Sequence, residues 1–136
     1  MSFARFIEEG KVRRVKPDLP LAQSLIKTSE KHFKVVRMLE IDEITKETVL
    51  VMAYEALREL IESVAIREGY KVYSHEAFTF YLQEKGNEAL ARKFDRYRKL
   101  RNGVNYYGKE IPLAEVRAAL QEIPELLQEV KRKYLS

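Results

Sequence analysis

Cysteine is absent from the 136-residue chain, which excludes a disulfide framework and any thiolate-bound zinc. Histidine is scarce: His32 and His75 stand alone and far apart, so nothing has metal-ligand spacing. No metal and no other cofactor are expected, with only carboxylates left to hold a hard cation. There is no tryptophan, and the longest apolar run is the six residues from Val49 to Tyr54, far short of the roughly 20 that span a bilayer. The N-terminus lacks the apolar stretch and small-residue cleavage site of a signal peptide. A cytoplasmic protein with no membrane partner is the expectation. With only five glycines and four prolines to punctuate it, the chain reads as one domain able to bury a core of its own.

What is present is charge, unevenly placed. The net charge is +4, yet residues 87 to 109 carry Arg92, Lys93, Arg96, Arg98, Lys99, Arg101 and Lys109 against only Glu88 and Asp95. Residues 1 to 16 add Arg5, Lys11, Arg13, Arg14 and Lys16 against Glu8 and Glu9, so the rest of the chain is net acidic. Two local positive fields favour an anionic partner where they share a face. The plainer reading of the N-terminal group is a solvated basic arm. Residues 1–16 are accordingly set apart from a helical domain over 17–136.

The hydrophobic period is helical nearly throughout. Asp18 is a cap ahead of Pro20, and Leu21, Leu25, Ile26, Phe33, Val36 and Leu39 follow at three- and four-residue steps. Thr45 caps a second helix whose Val49, Met52, Ala56, Leu57, Leu60 and Val64 form a stripe ending at Gly69. Ser74 opens a shorter third helix that stops near Gly86. A fourth places Leu90, Phe94, Tyr97, Leu100, Val104 and Tyr107 on one side. The last carries Leu113, Val116, Leu120, Ile123, Leu127, Val130 and Tyr134, a heptad-like seam that wants a partner helix, with a kink or break expected at Pro124. No segment alternates with period two for long enough to make a strand. The predicted fold is all-α, an antiparallel bundle of about five helices.

One stretch departs from this economy: Arg98-Lys-Leu-Arg-Asn-Gly-Val-Asn-Tyr-Tyr-Gly108. It holds two of the three asparagines and a mid-helix glycine, Gly103, that costs about 1 kcal/mol relative to alanine. On a continuous helix Arg98, Arg101, Asn102 and Asn105 lie opposite the apolar side, with Asn102 and Tyr106 paired at i,i+4. A guanidinium fork clamps phosphate, an amide reads a base or sugar, and a phenol stacks. Arg98, Arg101, Asn105 and Tyr107 are therefore candidates for RNA or nucleotide contact. Gly103 leaves room for a second backbone. A polar dimer interface and a frayed, solvated helix end have the same composition.

The order of elements, the Tyr54-Glu-Ala-Leu-Arg-Glu-Leu60 core of the second helix, Ser74-His75-Glu76, and Arg101-Asn-Gly-Val-Asn-Tyr106 together resemble a HEPN domain over roughly residues 17 to 135. The resemblance implies a helical homodimer, similar to the substrate-binding subunit of a nucleotidyltransferase pair, in a toxin–antitoxin or defence setting. It also implies metal-independent ribonuclease chemistry, with two motifs meeting across the dimer. In that family the motif is Arg, a polar residue such as Asn, and His after a short spacer. Arg101 and Asn102 match; the His position is held by Tyr106. By the resemblance the catalytic candidates are Arg101, Asn102 and Tyr106, supported by Glu55 from the second helix. A phenol ionises near pH ~10 and is poorly matched to proton transfer at neutral pH. The tyrosine that a partner nucleotidyltransferase modifies in the family falls two residues after the His, where this chain has Gly108. His75 and His32 read as structural residues.

Three expectations follow. The leading one is a dimeric protein that binds RNA or nucleotide through its Arg101 face, with a degenerate ribonuclease site. The alternatives are an active metal-independent endoribonuclease using Arg101, Asn102 and Tyr106, or a non-catalytic partner subunit of a minimal nucleotidyltransferase.

Overall fold

Asp18 accepts the Leu21 N–H at 3.0 Å and so starts the first long helix where the sequence puts it. The computed structural model describes residues 1–136. In chain order the elements are α1 (Phe3–Glu8), β1 (Val12–Arg14), α2 (Leu19–Met38), α3 (Lys46–Arg67), β2 (Tyr70–Val72), α4 (His75–Glu84), α5 (Glu88–Tyr107) and α6 (Leu113–Tyr134). The five long or medium helices are those the periodicity marks. Caps explain several ends: Asn87 accepts the Leu90 N–H at 3.2 Å, and Gly108, left-handed at φ 61°, closes α5. Thr45 and Ser74 stand at the N-cap positions of α3 and α4 but make no side-chain cap bond. The Thr45 hydroxyl donates instead to Glu40 O at 2.5 Å, and Asp42 takes the Ile44 and Thr45 N–H groups. No helix is long and apolar enough to cross a membrane.

The bundle is built around α3. Its Val49, Leu50, Ala53, Tyr54, Ala56, Leu57, Leu60 and Ile61 are all buried, touching α2, α4, α5 and α6 on different sides. A stripe would serve a helix at the surface; this helix is covered nearly all round. The heptad-like seam of α6 packs along α3, burying Val116, Ile123, Leu127 and Val130. Each such side chain is worth roughly 1.5–3 kcal/mol of transfer free energy. Of the kink or break expected at Pro124, a break does not occur: α6 runs unbroken through it, and its seam is used within the chain.

The N-terminal residues are part of this body. Phe3, Phe6 and Val12 join the single buried cluster, while Lys11, Arg13, Arg14 and Lys16 are exposed. β1 pairs antiparallel with β2 in the register Val12↔Val72, Arg14↔Tyr70, strands too short to leave a period-two signature. Gly69 makes the crossing possible. It sits at φ 91°, its carbonyl accepts the Val15 N–H at 2.8 Å, and a Cβ there would lie 2.8 Å from Val15 O.

Candidate functional site

The polar face of α5 is only partly turned to solvent. Arg98, Arg101 and Asn105 recur at three- and four-residue steps, and the two arginine side chains are only 13% and 17% exposed because α3 and α4 lie against them. A helical wheel sends such residues outward; here Glu55 of α3 faces Arg101, and Arg98 pairs with Asp95 one turn earlier on α5, itself held by Thr79 of α4. Arg98 Nη2 lies 2.8 Å from Asp95 Oδ1, which also accepts from the Thr79 hydroxyl of α4 at 2.9 Å. Asp95 meets Lys99 as well, at 3.1 Å. On α3, Arg58 donates twice to Glu55 Oε2, at 3.0 and 2.9 Å, and once to Glu62 at 2.6 Å. These two guanidiniums have their charge answered.

Arg101 does not. Its Nη2 is 3.6 Å from Glu55 Oε1, beyond hydrogen-bond reach, and its Nη1 reaches only the Asn102 amide oxygen at 3.2 Å and the Tyr106 hydroxyl at 3.4 Å. Arg101 Nε and Glu55 Oε1 are buried without any hydrogen-bond partner. Unmet buried polar atoms of this kind cost about 1–3 kcal/mol each, so the group is held short of its full complement of partners. The guanidinium also lies 5.9 Å from the Tyr54 ring centroid and 5.7 Å from that of Tyr106.

Tyr54 leads to a residue the sequence reading left aside. Its hydroxyl is 3.0 Å from His75 Nδ1 at the start of α4, and the two rings are 5.9 Å apart. Burial lowers the His75 pKa to about 4; the Arg58 and Arg101 guanidiniums push the same way and Glu55 opposes them. Burial raises the Tyr54 phenol, with the Glu55 charge adding to it. Both rings are therefore neutral at pH 7, beside a cation. The sequence signals were that His75 is one of two histidines and that it lies in the Ser74-His75-Glu76 entry to α4. His32 ties α2 to α3, its Nδ1 2.7 Å from Glu59.

The remaining candidates divide. Asn102 is half-buried and braces Arg101. Asn105 is exposed on the rim of a groove of about 340 Å³ between α2, α3 and α5, whose apolar wall is Val51, Met52 and Val104 and whose other rim includes Glu55. Tyr106 and Tyr107 are 67% and 76% exposed. The sequence puts Tyr107 in the core stripe, but α5 ends there with nothing opposite it. Tyr106 bonds to Arg101 rather than to Asn102. Gly103 does admit a close neighbour: Lys109 of the same chain returns over it, its Cδ 3.2 Å from where a Cβ would be. The N-terminal basic group lies by way of β1 at the front of α4, with Arg13 5.9 Å from the Tyr73 ring centroid.

The geometry thus defines a class: a helical bundle with a half-buried, under-partnered arginine and a neutral imidazole around one tyrosine ring, suited to an anionic ligand. No protein-family model matches the chain, and no curated protein or solved structure matches it either.

Proposed function

We propose that the chain is a HEPN-like protein that works as a homodimer and holds the phosphate of RNA or a nucleotide at Arg101, in a toxin–antitoxin or defence setting. The observation that carries this reading is the unspent donor capacity of Arg101. Its Nε has no partner, its link to Glu55 is loose at 3.6 Å, and Asn102 and Tyr106 brace it from its own helix. A phosphate oxygen supplies the acceptors that the protein withholds. Tyr106, in the place of the motif histidine, orients Arg101 and contacts ligand without taking part in proton transfer. Asn105 and Tyr107, both exposed, flank the path of the strand.

A second reading, a metal-independent endoribonuclease, is favoured by one observation: His75 shares the Tyr54 ring with Arg101. The test of the main reading is fluorescence anisotropy with single-stranded RNA at low salt, alongside light scattering for the dimer. Binding that Arg101→Ala weakens is expected. Absence of binding by the native dimer would sink the phosphate reading and favour a partner subunit of a minimal nucleotidyltransferase that touches no RNA.

A further inference from the structure

We propose that the outward face of the β1–β2 ribbon is a docking platform for single-stranded nucleic acid, on which Tyr73 stacks a base while Arg13 and Lys71 hold the flanking phosphates. It shares no residue with the Arg101 site and stands or falls without that reading. In the ribbon's register Val12 lies opposite Val72, with Val12 buried against the core, so the next pair, Arg13 and Lys71, is turned the other way and is exposed. Like charges directly opposite one another weaken a ladder. No carboxylate relieves this pair: among Lys11, Arg13, Arg14, Lys16 and Lys71 only Lys11 has an acidic partner, Glu9 at 3.4 Å. The basic N-terminal segment is therefore no free arm, since strand pairing holds its cations in place with their charge unanswered.

Tyr73 completes the face. Its N–H donates to Lys11 O at 2.8 Å, which carries the register one residue past β2 and sets the side chain beside Arg13 and Lys71. The guanidinium and the ammonium each lie 5.9 Å from its ring centroid, at the outer limit of about 6 Å for a cation on a ring, so neither is committed to it. Tyr70 shows the contrast: its ring packs on Phe3 at 5.2 Å and on Tyr81 at 6.1 Å, whereas Tyr73 is 56% exposed and its ring meets no other. A single strand presents π-faces and phosphates in alternation, and so answers the ring and the cations together. An acidic peptide answers the cations alone, and a duplex keeps its bases stacked on each other. Because all three side chains stand on paired backbone, little backbone ordering is left to oppose binding.

The experiment titrates the full chain, native and Arg101→Ala, against a labelled single-stranded oligoadenylate at low salt by fluorescence anisotropy, in ribo and deoxyribo forms. Both forms should bind, because stacking and phosphate contact use no sugar hydroxyl; the tighter of the two names the natural source. Binding should survive Arg101→Ala. Tyr73→Leu should weaken it about tenfold at an unchanged salt slope, and the double change Arg13→Ala with Lys71→Ala should flatten the slope by about 1.4. Lys71→Glu separates binding from folding. It replaces a like-charged cross-strand pair with an opposite one, so the melting temperature should rise by about 1–4 °C while affinity falls about tenfold or more. Native affinity in Tyr73→Leu or Lys71→Glu, a melting temperature lowered by Lys71→Glu, a duplex bound as tightly as the single strand, or an oligoglutamate that displaces the strand equally well would each overturn the assignment. So would binding that vanishes in Arg101→Ala, which leaves the Arg101 reading standing. Binding that Arg101→Ala leaves at full strength and the ribbon variants abolish would uphold the ribbon and sink the other.

Discussion

Glu47, in the first turn of α3, accepts the backbone N–H of Ile111 at 3.0 Å and so fastens the segment that leaves α5 to the far side of the bundle. Ile111 is buried, and without the carboxylate its N–H would have no partner. Glu47→Ala should therefore cost about 1–3 kcal/mol in urea denaturation, and Glu47→Gln clearly less. Hydrogen exchange at the Ile111 amide should quicken in the alanine variant; an unchanged exchange rate there would show that the bond does not hold the segment.

Gly103 is the second test of that segment. An added methyl group would press on Lys109 Cδ at 3.2 Å, the far part of an exposed and flexible side chain. The helix gains about 1 kcal/mol from alanine over glycine. Gly103→Ala should raise the melting temperature by about 4 °C and leave the oligomeric state read by light scattering unaltered. A lower melting temperature would mean that Lys109 cannot yield, and a broken dimer that a second subunit does meet this glycine.

The buried imidazole predicts a pH dependence with a definite sign. His75 titrates at about 4 in the folded chain against an ordinary 6.5, so between those values the unfolded chain binds more protons. Its contribution to stability is full above pH 6.5 and declines as pH falls toward 4. Comparing urea midpoints at about pH 7 and about pH 5, the native protein should lose more than His75→Asn does. Equal losses would show that His75 is not held neutral by its surroundings.

The two arginines of α5 should separate in a salt titration. Arg98 is occupied by Asp95, whereas Arg101 has donors to spare. Arg101→Ala should therefore flatten the salt dependence of single-stranded RNA binding by about 0.7. Arg98→Ala should leave the slope as it was and lower stability, because Asp95 loses a partner inside a packed contact. A slope change for Arg98 alone would invert the assignment.

The helices were legible because their signals are local. Asp18 ahead of Pro20, the glycine after α5 and the three-and-four stripe of α6 act within a turn or two of where they stand. The direction of the α5 polar face was not, because it is set by Glu55 on α3 and by Thr79 on α4, which holds Asp95, at distances in sequence that no periodicity spans. Arg101 with Glu55 was readable as a pair only through resemblance; Tyr54 with His75 was not readable at all. Those two stand 21 residues apart on helices joined through β2, and no chemistry within either helix points at the other. Gly103 carried a true signal of close packing whose source, Lys109, could equally have been another molecule.

The ribbon of β1 and β2 has a kinetic consequence. The most extensive packing in this protein, α2 on α3, joins helices that are neighbours along the chain, whereas the ribbon closes a loop of roughly sixty residues for three paired positions. Pairs so distant repay their closure entropy late, so the ribbon should zip after α2 and α3 have docked. Tyr73, just past β2, donates its N–H to Lys11 O at 2.8 Å, and His75 begins the next helix. The imidazole therefore reaches Tyr54 among the last events of folding. In the native ensemble, partial opening at the N-terminus would be among the first fluctuations to carry it away again.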